Sequence, residues 1–317
     1  MLRYLQSIFI LPVVFPVIFS LLFIFSSWAH AGNLYSQVFI FGDSLSDTGN
    51  LATVIGDFPP PYIMNRASNG PVAVDIFTAE LGYTANASLH LIGPEVGGNY
   101  AVAGANASGD EPIDLNTQIM SFHANHGFVA PSDALYVIFI GGNDIRSARD
   151  VAELSAAKLI VKAAANDVRQ AILSLSSAGA HSFMLVNSAN IGLIPETQLI
   201  AKATNNPDLI KRTRKLSKRY RGALHNIAEH LKEEKKIDII EFDFYKFFNK
   251  LVKKADTYGF SNSTDACFSR NTFIFHPDCN FGFNFDQFIF FDETHPTARA
   301  HALIGEAMHE ALDEDKE

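Results

Sequence analysis

Val38-Phe-Ile-Phe-Gly-Asp-Ser-Leu-Ser-Asp-Thr-Gly-Asn50 is the stretch on which the reading of this chain turns. A short apolar run stops abruptly at Gly42-Asp43-Ser44, the pattern of a buried strand emptying into a tight turn. A serine hydroxyl then stands at the strand's carboxyl end, and open α/β sheets bind their ligands outside those ends. Such a serine is a candidate nucleophile when a histidine base and a carboxylate can reach it. Phe291-Asp-Glu-Thr-His-Pro296, far along the chain, supplies both. Alone, Gly-Asp-Ser is only turn chemistry, so the remaining segments decide.

In Gly97-Gly-Asn-Tyr-Ala-Val-Ala-Gly-Ala-Asn106, Gly104 allows a ligand to approach the backbone and leaves an N–H free to point at it. In Leu135-Tyr-Val-Ile-Phe-Ile-Gly-Gly-Asn-Asp144 a second apolar strand ends in two glycines and an asparagine. Asn143 can cap a helix expected to begin near Ala148, or its amide can hold an oxyanion at the strand's end. In Asp292-Glu-Thr-His295 a short loop presents a carboxylate beside an imidazole, which the carboxylate can orient. Glu293 is a rival carboxylate, and spacing alone does not choose between the two.

Taken in order, these four segments resemble the SGNH, or GDSL-type, serine hydrolases. Arg66-Ala-Ser-Asn-Gly-Pro-Val-Ala-Val-Asp75 and Asn187-Ser-Ala-Asn-Ile-Gly-Leu-Ile-Pro195 resemble further stretches of the lipase branch, so the likeness runs from about Val38 to Ala307. One departure is Ala103-Gly104, where a Gly-Gly pair is commoner. The resemblance implies Ser44 as nucleophile, His295 as general base and Asp292 as the residue orienting it. It also implies an oxyanion hole built from the N–H groups of Ser44 and Gly104 and the Asn143 amide. For the fold it implies a three-layer α/β/α architecture around a central parallel sheet, flavodoxin-like in outline.

The order of elements agrees. Strands are expected at Gln37–Phe41, Leu135–Ile140, Ser182–Val186 and Ile237–Phe242, and helices at Val72–Leu81, Ala152–Ser177, Pro207–Glu234 and Thr297–Leu312. Such alternation makes a parallel sheet with helices on both faces.

Arg3 is the one charge before a long apolar run from Ile8 to Trp28, which Ala29-His30-Ala31 follows. That pattern predicts a signal peptide over residues 1–31 and a single hydrolase domain over 32–317, exported to the periplasm or the medium. The net charge of −9 argues against nucleic acid as a partner. A basic run, Lys211-Arg-Thr-Arg-Lys-Leu-Ser-Lys-Arg-Tyr-Arg221, reads as the solvated face of a helix, with transient contact to anionic membrane surfaces as its other use. The two cysteines, Cys267 and Cys279, lie close together in an exported chain and read as one disulfide. Neither a metal-ligand spacing nor a cofactor motif accompanies the candidate triad, so no metal and no cofactor are expected.

Ser261 to Phe291 lacks a helical period and holds nine phenylalanines. Phe281, Phe283 and Phe285 alternate with other residues, and an aromatic loop beside the histidine suits an acyl chain. The expectation is a secreted serine esterase acting on lipid esters. Resemblance puts lysophospholipase A activity first, with phospholipase and acyltransferase activities in the same branch. The competing expectations are a carbohydrate or short-chain acetyl esterase and a secreted binding protein on an inactive hydrolase scaffold.

Overall fold

In the computed structural model, which describes residues 34–235 and 237–314, four parallel strands lie side by side. Their spatial order is β1 (Val38–Gly42), β2 (Leu135–Phe139), β3 (Ser182–Val186) and β4 (Asp238–Phe242). The register pairs Val38 with Leu135, Leu135 with Ser182, and Ser182 with Asp238, so the carboxyl ends of the strands are level. All of β2, and all but the first residue of β1 and β3, is buried. Strands covered on both faces read as continuous apolar runs, which is why these were visible in the sequence.

Residues 97–102 extend the sheet beyond β1. Ile40 donates its N–H to the Gly98 carbonyl at 2.9 Å, Tyr100 donates to Ile40 at 2.7 Å and Val102 to Gly42 at 3.1 Å. Counting this segment, the strand order reverses on either side of β1, and the switch point lies between β1 and β2. Open α/β sheets place their ligand crevice there.

The helices are α1 (Ala52–Ile55), α2 (Ala73–Glu80), α3 (Leu115–Asn125), α4 (Gly142–Asp150), α5 (Leu154–Ser177), α6 (Pro195–Ala203), α7 (Asp208–Lys235), α8 (Phe244–Lys253) and α9 (Ala298–Glu314). Strand side chains alternate between faces. On one face Phe39, Phe41 and Tyr136 pack around Phe122 of α3, with ring centroids 4.9, 5.7 and 5.9 Å away. On the other, Phe139 meets Phe244 at 5.2 Å. α3 packs on α5 and α5 on α7, while α2 packs on α9. The result is the expected three-layer α/β/α arrangement. Each fully buried phenylalanine contributes about 1.5–3 kcal/mol of burial free energy, which makes this aromatic cluster a main source of stability.

Several elements differ from expectation. α4 begins at Gly142 rather than near Ala148, because Gly141 at φ 114° turns the chain directly out of β2 into the helix. Asn143 therefore lies inside the first turn of α4 and is not its cap. α1, α3, α6 and α8 were not predicted. α8 carries a readable signal, since the Asp243 carboxylate accepts the Lys246 N–H at 3.2 Å at its start. The basic run lies on α7 as expected, burying Thr213, Leu216, Ser217 and Tyr220 and exposing most of its cations.

The Phe-rich segment is only partly irregular. β5 (Asn262–Ala266) pairs in parallel with β6 (Phe288–Phe290). Cys267 and Cys279 are joined in a disulfide with Cα atoms 5.4 Å apart. Phe268, Phe288, Phe290 and Phe291 are buried, whereas Phe281 and Phe283 are more than four-fifths exposed. Among the described residues no helix is long and apolar enough to cross a membrane. The predicted leader, residues 1–31, lies outside the described residues.

Candidate active site

Ser44 follows directly on β1, and the turn that carries it is held by side chains distant in sequence. Gln118 of α3 pairs with the backbone of Gly42 through both ends of its amide: Gly42 N–H donates to Oε1 at 2.9 Å and Nε2 donates to the Gly42 carbonyl at 2.8 Å. Asp47 accepts from the N–H groups of Gly49, Asn50 and Leu51 at 2.8, 2.7 and 3.1 Å, and from Ala103 at 2.8 Å. It thereby fastens the Ser44 turn to the loop of Gly104. Asp144 fastens α4 to the same loop, accepting from Ala107 and Ser108 at 2.8 and 3.0 Å. Burial pushes the carboxyls of Asp144 and of Asp43, which lies beside Ser44, up to about 6.

The histidine loop comes from the opposite end of the chain and is clamped by the stretch 66–75. Ser68 Oγ donates to the Pro296 carbonyl at 2.9 Å, and Asn69 Oδ1 accepts the Ala298 N–H at 2.8 Å as α9 begins. Arg66 pairs with Asp75 through two nitrogens, at 3.0 and 2.7 Å, which fixes the clamp to α2. With both loops held, His295 Nε2 lies 2.9 Å from Ser44 Oγ. His295 Nδ1 lies 2.7 Å from Asp292 Oδ2 and 2.9 Å from Oδ1.

Asp292 is fully buried and saturated with donors. Oδ1 accepts from the N–H groups of Thr294 and His295, both at 2.8 Å. Oδ2 accepts from Tyr62 OH at 2.9 Å. Burial alone would raise this carboxyl, but His295, the Arg270 guanidinium and the backbone donors hold it well below the usual carboxylate range. Burial and the Asp292 charge push the Tyr62 phenol far above its ordinary value, so it remains a donor. Glu293 faces elsewhere, its carboxylate accepting from Arg270 N and Nε at 3.2 and 3.4 Å.

Gly104 adopts φ 93°, a left-handed conformation in which a side chain is strained. Asn143 is fixed at both ends of its amide. Nδ2 donates to the Ala105 carbonyl at 2.8 Å and Oδ1 accepts from Arg146 Nη1 at 3.0 Å. One Nδ2 hydrogen is left over. Ser44, Gly104, Asn143 and His295 all line one cleft of about 320 Å³. Its apolar wall is made by Leu51, Ile55, Phe58, Pro59 and Ala67. The aromatic loop expected to supply that wall does not line the cleft with its phenylalanines; its one contribution there is Arg270.

Sequence reasoning thus named the residues that meet at the cleft and missed those that hold them. Asp47 and Asp144 stood inside quoted motifs and could have been read as loop clasps. Tyr62, Gln118, Arg146 and Arg270 carry no local signal, since their roles depend on approach from other elements. His225, Glu229 and Glu241 come within 4.8 Å of one another on the surface, but Lys232 pairs with both glutamates at 3.4 and 3.7 Å. None of these three lines the cleft.

An open parallel sheet that carries a hydrogen-bonded serine, histidine and aspartate at its carboxyl edge has the form of the α/β serine hydrolases. A family model described as GDSL-like Lipase/Acylhydrolase matches residues 38–308, and the chain belongs to that family. Among its relatives, it is 25% identical over 306 residues to an inactive GDSL esterase/lipase-like protein of Arabidopsis thaliana, a match covering 88% of this chain and 72% of the relative. It is 27% identical to the thermolabile hemolysin of Vibrio parahaemolyticus, covering 87% of this chain and 63% of the hemolysin. It is 26% identical to the phosphatidylcholine-sterol acyltransferase of Aeromonas hydrophila, covering 77% of this chain and 68% of the acyltransferase.

Proposed function

We propose that this protein is a serine esterase that cleaves fatty-acyl esters of lysophospholipids or phospholipids, with lysophospholipase A activity foremost. The observation that carries the proposal is the unbroken relay Ser44–His295–Asp292, with 2.9 and 2.7 Å links, at the mouth of a cleft that has one apolar wall. Ser44 Oγ attacks the ester carbonyl carbon while His295 Nε2 takes its proton. Asp292 holds the proton on Nδ1 and stabilises the imidazolium. The carbonyl oxygen, now an oxyanion, is held by the N–H groups of Ser44 and Gly104 and by the spare Nδ2 hydrogen of Asn143. His295 returns its proton to the departing alcohol, leaving an acyl-serine. Water, or a second lipid alcohol if the enzyme is also an acyltransferase, then takes the acyl group by the reverse proton path.

A lipid substrate is supported by the apolar wall beside Ser44 and by membership of a lipase/acylhydrolase family with an acyltransferase among the relatives. Export is supported by the Cys267–Cys279 disulfide, since such bonds persist in oxidising compartments. A fluorophosphonate probe should label the protein at Ser44, and a series of nitrophenyl esters should favour long over acetyl chains. Failure to label would return the chain to the inactive-scaffold reading; an acetyl optimum would make it an acetyl esterase.

A further inference from the structure

Two arginines line the cleft, and they are not equivalent. Arg146 has all three of its guanidinium nitrogens engaged: Nε and Nη2 bind the Glu196 carboxylate at 2.8 and 2.5 Å, and Nη1 binds Asn143 at 3.0 Å. Arg270 is tied along one edge only. Its backbone N–H donates to Glu293 at 3.2 Å, and its Nε lies 3.4 Å from Glu293 and 3.5 Å from Asp292. Its Nη1 and Nη2 make no hydrogen bond to any described residue, and its side chain is 37% exposed. Among the described residues no carboxylate lines the cleft, although the chain as a whole carries a net charge of −9. The positive lining is therefore local, and of its two cations Arg270 is the one that keeps both Nη nitrogens without a partner among the described residues.

We propose that the open edge of Arg270 binds a phosphate ester, and that in the substrate this is the headgroup phosphate of a lipid whose acyl carbonyl sits at Ser44. The lipid part of this proposal rests on the esterase reading. A guanidinium presents two parallel N–H groups that match a pair of phosphate oxygens, a fit that an ammonium cannot reproduce. Arg270 lies within the loop closed by the Cys267–Cys279 disulfide, and its inner edge is held by Glu293, so its position is set before the ligand arrives. The cleft then reads one amphiphile from both sides: Leu51, Ile55 and Phe58 take the acyl chain, and Arg270 takes the phosphate. Arg270 acts here in specificity, not as a catalytic residue.

The test separates phosphate binding from any effect that Arg270 exerts through Asp292. Glycerol 3-phosphate is titrated as an inhibitor of nitrophenyl butyrate hydrolysis, with glycerol as the uncharged control. The wild type should be inhibited competitively by the phosphate compound alone. Arg270→Gln should weaken that inhibition by about ten- to a hundredfold, the worth of a charge-assisted contact, and Arg270→Lys should fall between. In parallel, lysophosphatidylcholine and a monoacylglycerol of equal chain length are compared. Arg270→Gln should lower the ratio of their kcat/KM values by about tenfold or more, chiefly through KM. Inhibition that is absent in the wild type, or unchanged in Arg270→Gln, would overturn the proposal, as would equal losses on the two lipids. If glycerol 3-phosphate inhibits through Arg270 while neither lipid is cleaved, the phosphate site stands and the lipid-esterase reading fails.

Discussion

Replacing Asp292 by Asn removes a charge and keeps the shape, and the hydrogen bonds around the side chain dictate the consequence. Oδ1 accepts two backbone N–H groups at 2.8 Å, from Thr294 and His295, so the amide oxygen must occupy that position. The amide nitrogen is then forced into the place of Oδ2, 2.7 Å from His295 Nδ1 and 2.9 Å from Tyr62 OH. Tyr62 can rotate its hydrogen away and accept. His295 can avoid two donors meeting only by becoming the Nε2–H tautomer. In that form the nitrogen 2.9 Å from Ser44 Oγ donates to the serine and cannot take its proton. Loss of the correct tautomer lowers kcat by about ten-thousandfold, or roughly 5.5 kcal/mol in barrier. KM for nitrophenyl butyrate should change little, because Asp292 does not line the cleft. Steady-state kinetics beside a thermal melt measures both. Activity within tenfold of wild type in a folded Asp292→Asn protein would refute the reasoning. Glu293→Gln is the control: its carboxylate serves Arg270, so kcat should fall by far less, and a larger loss than that of Asp292→Asn would mean the wrong carboxylate was chosen.

Asn143→Ala should lower kcat by about a hundred- to a thousandfold with KM little changed, as expected for one oxyanion donor; a change confined to KM would make Asn143 a binding residue. His301 is fully buried, its Nδ1 accepts the Ala73 N–H at 3.1 Å and its Nε2 has no partner among the described residues, and burial pushes its pKa from 6.5 down to about 3. A depressed histidine stabilises the fold above its unfolded pKa and loses that contribution as pH falls toward the folded value. Against His301→Gln, which does not titrate, wild type should therefore lose on the order of 2–3 kcal/mol more between pH 7.5 and pH 4.5 in urea melts, and parallel losses would disprove it. Cys267→Ser with Cys279→Ser opens a loop of 12-residue separation and should cost about 3 kcal/mol in the chain-entropy model. Because that loop holds Arg270, activity on lysophospholipid should suffer more than activity on nitrophenyl butyrate, and equal fractional changes would separate the loop from substrate recognition.

The sequence by itself determined the strands and the chemistry at their ends. β1, β2 and β3 were legible because a strand buried on both faces needs an apolar residue at every position, and that need is local. Ser44, Gly104, Asn143, Asp292 and His295 were legible because each stands in a short motif at such an end or in one loop. Choosing Asp292 over Glu293 needed family resemblance, since two adjacent carboxylates differ only in the direction they face. The tertiary structure decided that direction, and it decided what holds the relay together. Gln118 reaches Gly42 across 76 residues, Tyr62 reaches Asp292 across 230, and Ser68 reaches Pro296 across 228. No local pattern encodes contacts of that span, because they exist only once the sheet has brought the chain's two ends to one edge. The same limit explains the Phe-rich segment. Its composition announced an apolar surface, but which rings turn inward depends on the pairing of β5 with β6 and on the disulfide. That packing buries Phe288 and Phe290, leaves Phe281 and Phe283 in solvent, and puts an arginine in the cleft instead.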